Sequence, residues 1–200
     1  MNYLAHLYFA DNNSESRIGN LLGDFCRGVD IKLLSENCKA GLNQHRAIDR
    51  FTDQHAGVRS AKQLFSPQRR RFAGVALDLV FDHYLVKHWS LFSAVPFEIY
   101  KNQLYQQLWQ ERPLMPAAMA NTITYLVQQD WFASYAGLNN IGEALDRIAK
   151  RLRFNNDFAG CITDLNHNQI AFEQLFLQFF PQLQLFVWQY QSDNSTTPRI

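Results

Sequence analysis

Between Phe72 and Val86 the chain reads FAGVALDLVFDHYLV, and twelve of these fifteen residues are apolar, aromatic or glycine. They surround a helix on all sides, and a helix that is apolar all round is a buried one. Yet Asp78, Asp82 and His83 lie inside it. An ionised carboxylate is prohibitively costly to bury alone, so the fold has to give each of these groups a partner or a metal ion.

The rest of the pattern is also helical, and alternating strand patterns are absent. The expected fold class is all-α: a single-domain helical bundle over residues 1–190, with Gln191 to Ile200 (QSDNSTTPRI) as a frayed tail. Ser14 caps a short helix to Phe25, with Arg17, Ile18, Leu21, Leu22 and Phe25 on one stripe. Lys39 to Asp53 form a second helix. Ser66 caps, and Pro67 opens, a long helix to about Trp89. Pro96 begins one through Trp109, Pro113 and Pro116 open the next through Trp131, and Asn140 caps another to about Arg153. The last runs from about Ala159 to Tyr190, where Pro181 is expected to introduce a kink.

With 200 residues and a hydrophobic fraction of 47%, including sixteen Phe, the chain can bury a sizeable core. Nineteen Lys and Arg against eighteen Asp and Glu leave a net charge of +1, which argues against a general polyelectrolyte binder. Neither nucleic acid nor membrane is an expected partner. Cys26, Cys38 and Cys161 form no CxxC pair, which fits a reducing cytoplasm. The opening MNYLAHLYFA is apolar but has no basic leader and is too short to span a bilayer. There is no G-x-S-x-G elbow, P-loop or dinucleotide fingerprint.

The chemistry-bearing residues concentrate in the first ninety positions. Asp78 and Asp82 are four apart and point to nearly the same side, whereas His83 is rotated by roughly 100° from Asp82. His45, Asp49 and Asp53 follow at four-residue steps, with Arg46 and Arg50 beside them. Leu42, Ile48 and Phe51 leave little of that helix clearly facing solvent. Asp24 emerges from the apolar side of GNLLGDFCR, and His6 lies inside LAHLYF. Each alone fits a structural role, such as an Asp–Arg pair, a helix-end carboxylate or a satisfied core histidine. Together, carboxylates and imidazoles without thiolates suit Mn²⁺, Fe²⁺, Zn²⁺ or Mg²⁺. Such an ion lowers the pKa of bound water from 15.7 towards about 7 and polarises a phosphoryl oxygen. Arg27 and Arg46 are the nearest candidates to clamp the other phosphate oxygens.

Four segments, MNYLAHLYFA, GNLLGDFCRG, HRAIDRFTD and LDLVFDHYLVKHWS, resemble in order and spacing the signature segments of the bacterial acyl carrier protein phosphodiesterases. The resemblance is dense to about residue 92. It is thinner towards Tyr190, where WFASYAGL and the helical layout fit. It implies a cytosolic, HD-like, metal-dependent hydrolase that removes the 4′-phosphopantetheine arm from holo acyl carrier protein, with Mn²⁺ the usual ion and Fe²⁺ or Mg²⁺ as alternatives. Asp24 matches the family's essential acidic position, His45 and Asp49 its second-helix pair, Asp82 with His83 its Asp-His pair, and His6 an N-terminal histidine. The Asp-His order is the reverse of the usual HD dyad.

The expected metal ligands are therefore His6, Asp24, His45, Asp82 and His83, with Asp49 or Asp78 as an orienting group or further ligand. Acyl carrier proteins are acidic, and two basic runs could meet one: Arg69, Arg70 and Arg71, and Arg147, Lys150, Arg151 and Arg153. Two other readings remain open: an HD-type phosphohydrolase of a nucleotide, and a non-catalytic helical module that binds acyl carrier protein.

Overall fold

In a computed structural model, which describes residues 1–194, the all-apolar segment is the helix Ala73–Lys87, and ten of its fifteen residues are buried. In chain order the helices are α1 (Tyr3–Phe9), α2 (Ser14–Leu22), α3 (Glu36–Gln54), α4 (Ala56–Ala61), α5 (Ala73–Lys87) and α6 (Trp89–Phe92). There follow α7 (Phe97–Glu111), α8 (Ala117–Gln128), α9 (Trp131–Ser134), α10 (Leu138–Arg151), α11 (Ile162–His167) and α12 (Gln169–Asn194). Short 3₁₀ turns join several of them, and no strand occurs among the described residues. The fold is all-α, as the periodicity predicts. No described helix is long and apolar enough to cross a membrane.

α5 is central, packed against α1, α10 and α12. Phe81 on α5 meets Phe176 and Phe179 on α12 at ring-centroid distances of 5.9 and 5.3 Å. These rings belong to one buried cluster that draws residues from Met1 to Val187. α2 and α3 pack with their backbones in contact. A Cβ on Gly19 would stand 2.2 Å from Cys38 O, and one on Gly41 would stand 2.6 Å from Ser16 O. Glycine at both positions is what allows this approach.

Several helix ends differ from the sequence reading. Asn13, not Ser14, caps α2 by accepting from Ser16 N, and Ser35 caps α3 through Cys38 N, so α3 begins three residues early. α5 starts at Ala73 rather than Pro67 because the Ser66 hydroxyl bonds Asp164 instead of capping, and Phe72 leaves helical geometry at φ −102°, ψ 1°. The helix expected to reach Trp131 stops at Gln128. Asp130 adopts a left-handed conformation, φ 46°, and its carboxylate binds the Lys101 ammonium and the Tyr105 hydroxyl. The expected Ala159–Tyr190 helix is divided at Asn168, and α12 then runs through Pro181. α12 also takes in Gln191 to Asn194, where Gln191 donates to Phe9 O and Gln44 Oε1. The remainder of the expected tail, residues 195–200, lies outside the described residues.

α1 is too short to be stable alone, and its own cap residue, Asn2, makes no side-chain capping bond. The missing acceptor comes from α5. The fully buried Asp82 takes the Leu4 N–H on Oδ2 at 3.0 Å and the Ala5 N–H on Oδ1 at 3.1 Å. Burial pushes the Asp82 carboxyl up to about 7, against the two N–H donors that favour its charge. Its negative end also complements the α1 dipole.

Asp82→Ala leaves two buried N–H groups without an acceptor and should cost about 3 kcal/mol. Urea unfolding measures this, and a midpoint equal to that of the unaltered protein would exclude the capping role.

Candidate functional site

α1 and α3 deliver the centre of the site. His45 and Asp49 stand four apart on α3 and so share a face, with His45 Nε2 3.1 Å from Asp49 Oδ2. His6 on α1 stacks against the His45 ring, with centroids 3.8 Å apart, and sets its Nε2 3.2 Å from Asp49 Oδ1. The ligand atoms of the three side chains lie within 4.8 Å of one another, close enough to hold one metal ion.

His6 is fully buried, yet neither ring nitrogen has a hydrogen-bond partner, because the approach of Nε2 to Asp49 is not a hydrogen-bond geometry. Burial drives its pKa down to about 3, so the ring is neutral and keeps a lone pair. His45 Nδ1 is 2.7 Å from Asn20 O, a carbonyl that can only accept, so Nδ1 carries the hydrogen. In the neutral ring His45 Nε2 is then a lone pair facing a carboxylate oxygen. Two acceptors at that distance require a cation between them, a proton or a metal ion. Burial would lower the His45 pKa, but its bond to Asp49 and the nearby charges outweigh burial and raise it. In spite of burial, the adjacent His45 and His6 rings and the Met1 ammonium hold the Asp49 carboxyl below its ordinary range.

A positive group from the chain start is also present. The Met1 ammonium lies 3.2 Å from Asp49 Oδ1 and 3.0 Å from Asp78 Oδ1. Burial disfavours its charge, yet Asp78 and then Asp49 reverse that and hold its pKa at about 10. Beyond it opens a pocket of about 130 Å³, walled by the carboxylates of Asp24, Asp49, Asp53 and Asp78 and by Lys62. Asp49 is thus shared between the His6–His45–Asp49 cluster and an acidic pocket.

Of the residues singled out by sequence, His6, His45 and Asp49 come together, and Asp24 and Asp78 line the same pocket. Asp82 and His83 are placed elsewhere. Asp82 caps α1, and His83 turns Nδ1 to Tyr135 O at 2.7 Å while its Nε2 is buried without a partner. The roughly 100° step between neighbouring helical residues separates the two. Arg27 and Arg46 are exposed and do not line the pocket, so the clamp expected of them is not in place. Sequence reasoning passed over Asn20, Gly23, Lys62 and Met1. Only Gly23 carried a signal, as a glycine beside a candidate acid at the end of a helix. A Cβ there would stand 2.0 Å from the His45 ring, so the glycine makes room for the imidazole.

A sequence model of the family described as acyl carrier protein phosphodiesterase matches residues 1–183. Curated relatives carrying that name include one from Serratia proteamaculans, 36% identical over 92% of this chain and 95% of that protein. Others come from Shigella boydii, 34% identical, and Pectobacterium atrosepticum, 33% identical, over the same shares. No solved structure matches.

Gly23→Ala should displace the His45 ring while leaving α2 and α3 helical. The expected outcome is shifted His45 imidazole resonances in the NMR spectrum with an unchanged far-UV circular dichroism spectrum. Wild-type resonances would show that the ring does not depend on that space.

Proposed function

The chain belongs to the acyl carrier protein phosphodiesterase family, and from that premise we propose that it hydrolyses the phosphodiester joining 4′-phosphopantetheine to the serine of holo acyl carrier protein. The products are the free arm and apo acyl carrier protein. The observation that carries this reading is the His6–His45–Asp49 set, whose Asp49 also lines a pocket walled by Asp24, Asp53, Asp78 and Lys62. The relatives' shared name supplies the substrate. We take the setting to be cytoplasmic, in keeping with three free thiols.

His6, His45 and Asp49 would hold a divalent ion, and mixed imidazole and carboxylate donors favour Mn²⁺, with Fe²⁺ or Mg²⁺ as alternatives. Bound there, the ion supplies charge neutralisation at the phosphoryl group and water of lowered pKa. The chain's own groups do the rest. Asn20 O fixes the tautomer of His45 through its Nδ1–H, so that Nε2 is turned to the site. Asp82 fixes α1 and thereby His6. Asp24 and Asp78 stand in the pocket wall; we assign Asp24 to receive the proton of the attacking water and Asp78 to orient or extend the ligand set. This His/Asp centre in an all-α frame supports an HD-like description.

The two basic runs meet at one place, which supports docking of an acidic partner there. Arg69 donates to Asp157 O and Ala159 O, and Arg71 donates to Asn155 O and lies over the Phe154 ring, all in the segment directly after Arg153. Arg69 is engaged in holding the 154–160 segment and pairs with Asp164, which leaves Arg70, Arg71, Arg147, Lys150, Arg151 and Arg153 as the exposed charges for docking.

Mass spectrometry of holo acyl carrier protein after incubation with the enzyme and Mn²⁺ should show loss of the arm. Chelation should stop the reaction and added Mn²⁺ should restore it. An intact arm with each of Mn²⁺, Fe²⁺ and Mg²⁺ would overturn the substrate, and full turnover after chelation would overturn the metal.

The docking face has its own test. Exposed charges are screened beyond about 8 Å at physiological ionic strength, so kcat/KM should fall as salt rises. Reversing Arg147, Lys150 and Arg151 to Glu should lower kcat/KM and flatten that dependence, with kcat little changed. A variant with the wild-type salt slope would remove α10 from the interface.

A further inference from the structure

The pocket has an imbalance that the proposed reaction has to resolve. Its wall carries four carboxylates, Asp24, Asp49, Asp53 and Asp78, and a phosphodiester brings a further negative charge. Arg27 and Arg46 are not in the wall, and the Met1 ammonium is already shared between Asp49 and Asp78. One side-chain cation remains among the lining residues, Lys62.

Its setting is that of a group held ready. Lys62 opens the 3₁₀ turn after α4, between the buried Ala61 and Phe65, so its backbone is anchored in the core. The ammonium reaches back over the first turn of α5, 3.9 Å from where a Cβ on Gly74 would stand. Its partner is Asp53 Oδ1 at 3.0 Å. The Asp53 side chain is 71% exposed and that of Lys62 29%, so water screens the pair and little opposes its opening. An ammonium has three N–H donors, and one bond to Asp53 leaves two for other acceptors.

We propose that Lys62 is the phosphate-binding residue of this pocket: its ammonium takes a non-bridging oxygen of the scissile phosphodiester, and Asp53 holds it in place between turnovers. The assignment rests on the phosphodiester reading above and adds a side-chain cation that, beside the ion proposed there, helps an acidic pocket accept an anion. A lysine contributes here as a point charge and so tolerates phosphate esters of varied shape.

The test compares Lys62→Gln and Lys62→Arg with the unaltered enzyme in two assays. One is steady-state hydrolysis of holo acyl carrier protein, and the other is calorimetric titration with inorganic phosphate in the presence of Mg²⁺. Loss of a charge-assisted hydrogen bond should reduce kcat/KM by about 30-fold in Lys62→Gln and weaken phosphate binding by a similar factor. Lys62→Arg, which keeps the charge, should recover most of both, and the melting temperature should stay at the wild-type value. Wild-type phosphate affinity in Lys62→Gln overturns the assignment, as does equal impairment of both variants with a lowered melting temperature, which makes the position structural. The titration reads Lys62 even if the unaltered protein leaves holo acyl carrier protein intact, an outcome that would count against the substrate and not against the phosphate contact.

Discussion

The buried carboxylate of Asp82 ties the central helix α5 to the helix that carries His6. It sits in the middle of a helix that is otherwise apolar and is satisfied by the Leu4 and Ala5 amides of a different helix. A seven-residue helix cannot hold itself together in water, and α1 has no capping side chain of its own. Its position is therefore set by the Asp82 contact and by the packing of Leu4, Ala5 and Leu7 in the core. Since α1 also carries His6, the capping bond is at the same time the device that places an imidazole beside His45.

The second constraint is the close approach of α2 and α3. Gly19 and Gly41 let the two backbones touch, and the same approach brings Asn20 O to His45 Nδ1 and Gly23 under the His45 ring. Fold and site are thus made by the same contacts. A side chain at Gly23 would compete with the imidazole for one volume, and interiors have little slack to absorb such a change.

The electrostatics follow from that packing. Stacked, buried His6 and His45 rings meet the half-exposed Asp49 carboxylate at hydrogen-bond range, so their charge states are coupled. His6 is held neutral, His45 is drawn towards its charged form, and Asp49 is held ionised. The pocket outside is negative, which suits a cation and leaves an anionic substrate dependent on whichever positive groups reach the wall. In this chain those groups are the Met1 ammonium, close in sequence to His6, and Lys62 in the turn after α4.

Much of the fold was legible without coordinates because its signals are local. Helical periodicity marked the longer helices, though not the short α1, α4, α6 and α9, and four-residue spacing placed His45 and Asp49 on one face. Burial of α5 followed from its composition. One misplaced helix start had a distant competitor for its capping side chain, since Ser66 binds Asp164. Within the site, spacing could say that Asp78 and Asp82 point to nearly one side. It could not say that Asp82 would meet the amides of α1 while Asp78 looks into the pocket. Nor could it bring Lys62 to that pocket, or turn Arg27 and Arg46 away from it. Sequence spacing sets angles within one helix, where every residue adds a known rotation. The offset and rotation of one helix against another are decided by how side chains interlock across the whole core, and only the folded chain contains that information.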